Sequence, residues 1–278
     1  MFPVRPERPL GEYRSVYLAN TLREDVRRRR TGSGGAVTSL LMYMLDSGVV
    51  DAVVASKRKG GLTGEIAIAR SSGELLEVAG NRWGVVPFTS MMREALSREG
   101  IQRAALVGLP CQAQFIWQMK TFPLLEADFS SKIRFIVSLF CLGTFATEPF
   151  LNYLKIRYGI DPSEISGIRM NGKVLEVQHG TETLRLDIRD AVSFMQLGCL
   201  TCPDYTGVFA DLSAGLSEEH PQRTVLITRS EEAERLLREA AEAGYLEFEK
   251  APVTVIQEIT IKAETKLMRA NKYLSMLL

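Results

Sequence analysis

The residues most able to do chemistry here are the cysteines. The chain has four: Cys111, Cys141, Cys199 and Cys202. Cys199-Leu200-Thr201-Cys202 is a tight pair, followed by Pro203-Asp204-Tyr205. Cys111 stands alone in Gly108-Leu109-Pro110-Cys111-Gln112, and Cys141 in Phe140-Cys141-Leu142-Gly143. One close pair plus two lone thiols supplies four ligands, the number required by one cubane iron–sulfur cluster or one tetrahedral zinc ion. Structural zinc usually draws on two close pairs, so a single pair tilts the choice toward a cluster. Other readings stand beside these. A lone cysteine behind a strand is commonly a small buried apolar residue. A Cys-x-x-Cys pair also suits redox dithiol chemistry.

The elements that must position these thiols follow from the patterning. Residues 102–107 form a short apolar strand ending at Gly108, and residues 133–140 form a second strand that runs into Cys141. In an open parallel sheet, ligands bind in the crevice beyond the carboxyl ends of the strands. Two strand ends can thus present two thiolates to one place, and the 199–202 loop can bring the other pair. Strand patterns at 49–55 and 64–70 and helical patterns at 36–45, 91–99, 113–119 and 147–158 alternate with them. The period predicts an α/β fold: a mainly parallel sheet with flanking helices. From about residue 165 to 187 the pattern changes to short strands joined at Asn171-Gly172 and His179-Gly180. Asn-Gly is a strong hairpin signal, so this stretch reads as a small antiparallel insertion. A strand at 224–228, a helix opened by Ser230-Glu231-Glu232 and an amphipathic stretch at 256–278 complete the chain.

The expected organisation is an N-terminal arm over residues 1–30, poorly ordered or partner-bound, then an α/β domain over 31–250. A C-terminal helix over 251–278 would dock on a partner or on its own domain. A chain of 278 residues that is 46% hydrophobic can bury a large core. Its 34 basic and 33 acidic residues nearly cancel, against general nucleic-acid binding. Met1-Phe2-Pro3-Val4-Arg5-Pro6 lacks the apolar core of a secretory signal, and the apolar stretch at 133–145 is interrupted by Arg134 and too short to span a bilayer. A soluble cytoplasmic protein is expected. In a reducing cytosol its cysteines are better suited to metal ligation or burial than to disulfides.

The residues flanking the cysteines resemble a known family, the beta subunits of coenzyme F420-reducing hydrogenases and related F420-dependent formate dehydrogenases and F420H2 dehydrogenase. The blocks that carry the resemblance run in order from about residue 32 to 245. They are Ser33-Gly34-Gly35-Ala36-Val37-Thr38-Ser39-Leu40-Leu41, Gly108 to Gln112, Phe140 to Gly143, Gly198 to Thr206, and Ala210-Asp211-Leu212-Ser213-Ala214-Gly215. The resemblance implies one FAD, one 4Fe-4S cluster on Cys111, Cys141, Cys199 and Cys202, and hydride exchange between FAD and coenzyme F420. Deazaflavin moves electrons in pairs and a cluster moves them singly, so a flavin between them is the adaptor. No acid–base residue is required, which suits a chain whose only histidines are His179 and His220.

The resemblance also implies cofactor contacts. Arg30, then Ser33, Gly34 and Gly35, lead into a helix containing Thr38, and glycines with backbone N–H groups at a helix start make an anion site. The FAD diphosphate is the preferred ligand; the phosphate and glutamate tail of F420, or a plain solvated basic turn, are the alternatives. Arg82 and Trp83 occupy a segment where relatives carry a Gly-x-Lys-Tyr type sequence, suited to the phosphate or edge and to the ring of the flavin, with an ordinary core tryptophan as the rival. Pro110 and Gln112 beside Cys111, and Asp204 and Tyr205 beside the close pair, complete the set. Asp204 and Tyr205 are expected to shape the loop by hydrogen bonds.

Two departures matter. Relatives have glycines and a tryptophan in a loop that here reads Leu216-Ser217-Glu218-Glu219-His220-Pro221-Gln222-Arg223, which leaves room for a different two-electron substrate. The chain also lacks the ferredoxin-like cysteine repeats of many relatives, so it holds one cluster at most. Electrons must then pass to a cluster-bearing partner such as a hydrogenase, a formate dehydrogenase or a heterodisulfide-reductase-like protein. A non-catalytic, zinc-stabilised assembly subunit is the remaining alternative.

Overall fold

The computed structural model describes residues 4–29, 33–60, 63–80, 86, 88–98, 100–122, 128–171 and 173–276. The elements begin with β1 (Ser15–Thr21), α1 (Glu24–Arg29), α2 (Ala36–Asp46), β2 (Ala52–Gly60), β3 (Thr63–Ala69), α3 (Ser72–Val78) and α4 (Phe88–Arg98). There follow β4 (Ala104–Gly108), α5 (Pro110–Thr121), α6 (Asp128–Ser131), β5 (Ile133–Leu139) and α7 (Thr147–Tyr158). Next come β6 (Ile165–Asn171), β7 (Val174–His179), β8 (Glu182–Asp187), α8 (Ile188–Ala191) and α9 (Leu197–Leu200). The chain closes with β9 (Leu212–Leu216), β10 (Thr224–Thr228), α10 (Glu231–Glu242), β11 (Leu246–Lys250) and α11 (Val253–Ser275).

The main sheet has the order β11-β1-β10-β9-β5-β4-β2-β3. Its centre is parallel: β2 with β4, β4 with β5, and β5 with β9. Both flanks are antiparallel. β4 and β5 read as near-continuous apolar runs because helices cover both their faces. β10 runs against β9, and β1 against β10, so β1 again points the same way as the central strands. The carboxyl ends of β1, β9, β5 and β4 therefore share one edge of the sheet.

One face is covered by α2, α3 and α10, with Leu40, Leu41 and Met44 meeting Leu236 and Leu237 over Phe135 and Val137 of β5. The other face is divided. Met92 and Leu96 of α4 and Ile116 of α5 cover β2, β4 and β5. Val255, Ile259 and Ala263 of α11 cover β1 and β10 through Val16, Leu18, Val225 and Ile227. The helices start where their sequences direct: Ser230 accepts a hydrogen bond from the Ala233 N–H, with Glu231, Glu232 and Glu234 in the first turn.

The small antiparallel sheet, β6-β7-β8, is separate and has its own core with α7, centred on Phe150, Leu175 and Val177. This is the insertion read from the sequence, and the α/β fold with flanking helices is observed. The arm expected over residues 1–30 differs in structure. Residues 15–21 are the strand β1, paired on both sides, and Val4 and Leu10 are buried. Three prolines and an arginine run dominate the local composition, while the pairing that makes β1 a strand joins it to residues some two hundred positions away. Among the described residues no helix is long and apolar enough to cross a membrane.

Candidate functional site

Cys111 and Cys141 lie just past adjacent parallel strands, β4 and β5, as the sequence suggested. Pro110 opens α5 with its ring where no backbone N–H is needed. Cys111 follows in the first helical turn, and the Gln112 side chain reaches back to accept from the Leu109 N–H at 2.7 Å. Gln112 is thus engaged in capping the helix.

The Cys141 N–H donates to the Tyr205 carbonyl at 2.9 Å, which seats the β5 turn against the loop following the close pair. Gly143 continues that turn at φ 137. A Cβ there would sit 2.1 Å from Met195 Cε and 3.3 Å from Cys199 Cβ, so only glycine lets the two loops approach. Thr144 Oγ1 is 3.6 Å from Cys199 Sγ.

Asp204 holds its own loop. Its buried carboxylate accepts from the Gly207 N–H at 2.7 Å and the Val208 N–H at 3.0 Å. Tyr205 is buried, its ring 5.2 Å from that of Phe140. Behind them, Arg229 donates to the carbonyls of Leu10 and Glu12 and to the hydroxyls of Thr206 and Ser213. Burial pulls the Arg229 pKa down to about 10, with Asp204 opposing.

The four thiols share one electrostatic neighbourhood. Loss of solvation pushes Cys111 up to about 11, reinforced by the charges of Cys141, Cys202 and Cys199 and opposed by Lys266. Burial likewise raises Cys141, again with Lys266 opposing. Cys111 keeps exposed surface while the protein on its flanks strips solvation, and the other three cysteines are half-buried. Accessible and yet protonated, Cys111 of the metal-free protein is expected to react with iodoacetamide at pH 8 roughly tenfold or more slower than an ordinary cysteine. Its rate should still be climbing above pH 10. Labelling followed by mass spectrometry checks this; a rate that levels off near pH 9 contradicts it.

Among the described residues no group of three or more histidine, cysteine, aspartate or glutamate side chains is arranged to hold a metal ion. Tetrahedral zinc at bonds of about 2.3 Å draws its sulfurs within roughly 4 Å of one another. A cubane ligates each thiolate to a different iron, so its four sulfurs stand wider apart. Four cysteine thiols that act on one another's charge are the donor type that a four-iron cluster takes.

Sequence reasoning missed the cations at this site. Lys266 and Arg269 reach it from α11. Lys266 Nζ donates to the Cys141 carbonyl at 2.7 Å and the Asp204 carbonyl at 2.6 Å. Arg269 donates to the carbonyls of Leu142 at 2.6 Å and Cys199 at 3.1 Å. The signal was present: Lys266 sits in the helical stripe Val255, Ile259, Ala263, Leu267 and Ala270, where an apolar residue belongs.

The Ser33-Gly34-Gly35 loop lies on the same edge of the sheet. A Cβ on Gly34 would be 2.5 Å from the Ala19 carbonyl oxygen and 2.9 Å from the Thr224 nitrogen, so the loop hugs the end of β1 and the start of β10. Ser33 Oγ is 3.1 Å from Thr224 Oγ1. Gly35 takes the left-handed conformation before α2, and Thr38 is half-buried one turn in. β10 and β5 are two strand spacings apart, about 10 Å. Within the arginine run, Arg27 donates to the Thr21 carbonyl, Arg28 pairs with Glu24 and Arg29 with Glu77. Arg30, Arg82 and Trp83 lie outside the described residues. The divergent loop is clamped by α11: the Glu258 carboxylate accepts from Ser217 Oγ, the Glu218 N–H and Lys262. Burial would raise the Glu258 pKa, yet these bonds hold it below the ordinary value.

Comparison with known proteins bears on this edge of the sheet. Residues 16–93 match the model for the N-terminal part of the coenzyme F420 hydrogenase/dehydrogenase beta subunit, and residues 101–253 match the model for its C-terminal part. The coenzyme F420 hydrogenase subunit beta of Methanothermobacter thermautotrophicus is 27% identical over 249 residues, 89% of this chain and 88% of that protein. The F420-dependent formate dehydrogenase 1 subunit beta of Methanococcus maripaludis is 27% identical over 250 residues, 86% of this chain and 62% of that protein. A chain of the F420-reducing NiFe hydrogenase complex from Methanosarcina barkeri superposes with a TM-score of 0.87. It covers 96% of this chain and 93% of its own at 19% identity, a likeness of fold.

Proposed function

The chain belongs to the coenzyme F420 hydrogenase/dehydrogenase beta subunit family, and from that membership we propose that it is the F420-oxidoreductase subunit of a multi-subunit redox complex, carrying one FAD and one 4Fe-4S cluster. When bound, FAD trades electron pairs with F420 as hydride and the cluster carries electrons one at a time. The support is one juxtaposition: the four cysteines share a single electrostatic neighbourhood beside Lys266 and Arg269, on the sheet edge that also carries the Ser33–Gly35 loop. In this reading Cys111, Cys141, Cys199 and Cys202 hold the cluster. The N–H groups opening α2 bind the flavin diphosphate, with Gly34 keeping the backbone close. Asp204 and Tyr205 fix the cluster loop, and Pro110 and Gln112 fix the helix that carries Cys111.

A relay with one cluster must hand its electrons on. The relatives' names, hydrogenase and formate dehydrogenase, support a cluster-bearing partner of that kind. Exposed Ile261 and Met268 on the outer face of α11 are available to such a partner. A second reading keeps the relay and changes the two-electron substrate, because the loop Leu216 to Arg223 lacks the glycines and tryptophan of relatives.

Anaerobic purification followed by stopped-flow mixing with reduced F420 tests both. The expected protein holds about four irons and one FAD, and its flavin bleaches within the first turnovers. A colourless, iron-free protein sinks the relay. A loaded protein whose flavin ignores reduced F420 but responds to another hydride donor favours the second reading.

A further inference from the structure

Resting on the relay reading above, we propose that Lys266 and Arg269 of α11 are a cationic clamp for the cluster, raising its midpoint potential by neutralising the charge that each added electron brings.

Lys266 is only 2% exposed, and its two partners are backbone carbonyls. Among the described residues no ion pair joins it to a carboxylate. A buried ammonium without a countercharge is costly, so such groups are found paired. Arg269, one turn on, is half-buried, and its Nη1 lies 3.9 Å from Met195 Sδ. Its Nη2 donates to the carbonyls of Leu142 and Cys199, and its Nε is buried without an acceptor. Burial lowers its pKa, and the charges that oppose this are foremost those of Cys199, Cys202 and Cys141, then Tyr273. The nearby carboxylates are committed elsewhere. Asp204 accepts from the Gly207 and Val208 N–H groups and faces Arg229. Glu258 is taken by Ser217, Glu218 and Lys262. The anion facing the clamp is therefore the set of four cysteine sulfurs.

Residues three apart on a helix lie on one face, so one turn of α11 aims both charges at the loops carrying Cys141 and Cys199. The clamp makes and breaks no bond and moves no proton. One electron enters or leaves, and the reduced state, more negative by one charge, gains more from two nearby cations than the oxidised state does. Both residues are positioning residues. They also bond the loops that they face, so potential is the readout that separates electrostatics from scaffolding.

The test is an anaerobic redox titration, followed by electron paramagnetic resonance, of the protein as isolated and of Lys266→Gln, Lys266→Arg and Arg269→Gln. In Lys266→Gln the reduced-to-oxidised ratio at a fixed ambient potential is expected to fall at least tenfold, about 59 mV for one electron. Arg269→Gln should shift the same way by less, and Lys266→Arg should stay near the unaltered protein. Iron-loaded Gln variants with unchanged midpoints overturn the clamp. Where Lys266→Gln fails to fold, an unchanged midpoint in Arg269→Gln overturns it alone. An iron-free unaltered protein sinks the relay reading first, and the clamp with it.

Discussion

Cys141→Ser should leave a folded protein that accepts hydride from reduced F420 but no longer passes electrons to a one-electron acceptor such as a viologen. Serine keeps nearly the size of cysteine, and the backbone bonds of this turn survive: the N–H to Tyr205 and the carbonyl to Lys266. On the relay proposed above the change is therefore chemical, replacing a sulfur ligand at a half-buried position with a poor one. Loss of an outer-shell partner costs roughly tenfold to hundredfold at a metal site. Loss of a ligand should exceed that, with iron falling well below the unaltered protein. Iron content, flavin bleaching and viologen reduction, measured on one preparation, separate the outcomes. Full iron with undiminished viologen reduction would remove Cys141 from the ligand set.

The largest expected effect on stability belongs to Arg229. Its guanidinium donates to Leu10 O at 2.9 Å, Glu12 O at 2.6 Å, Ser213 Oγ at 2.9 Å and Thr206 Oγ1 at 2.8 Å. It thereby fastens the N-terminal segment and the cysteine loop to β9. With a pKa near 10 it stays charged at neutral pH. Arg229→Met keeps much of the stem but strands these acceptors and removes the cation that opposes the Asp204 carboxylate. Removing one partner from such a buried set costs on the order of 3–5 kcal/mol. Urea denaturation should show it as a clear fall in midpoint. Exposed Arg28, paired with Glu24 on α1, is the contrast: Arg28→Ala should barely move the midpoint. Equal midpoints for the two variants would mean that the Arg229 network adds little.

Much of the edge that carries the site could be read from the letters. The runs ending at Gly108 and Cys141 are nearly continuous in apolar residues because β4 and β5 are covered on both faces, and that signal is local. The hairpins of the insertion were equally local. β1, β9 and β11 escaped for the opposite reason. Leu212-Ser213-Ala214-Gly215-Leu216 is short and rich in small residues, and its partners, Val137 to Leu139, lie more than seventy positions earlier. The capping of α5 by the Gln112 carbonyl is not legible in the sequence, because it depends on where the turn after β4 places the Leu109 N–H. Lys266 and Arg269 were passed over because a helix period records which face is apolar, not which loops that face will meet.

At about 1.5 Å per residue, the twenty-three residues of α11 make a rod about 35 Å long. Near its start Glu258 grips the 217–218 loop, and two turns later Lys266 and Arg269 grip the turns bearing Cys141 and Cys199. The tail is thus a splint across both halves of the edge, and proteolytic trimming ahead of Val253 would loosen the two ends together rather than shed a dispensable appendage.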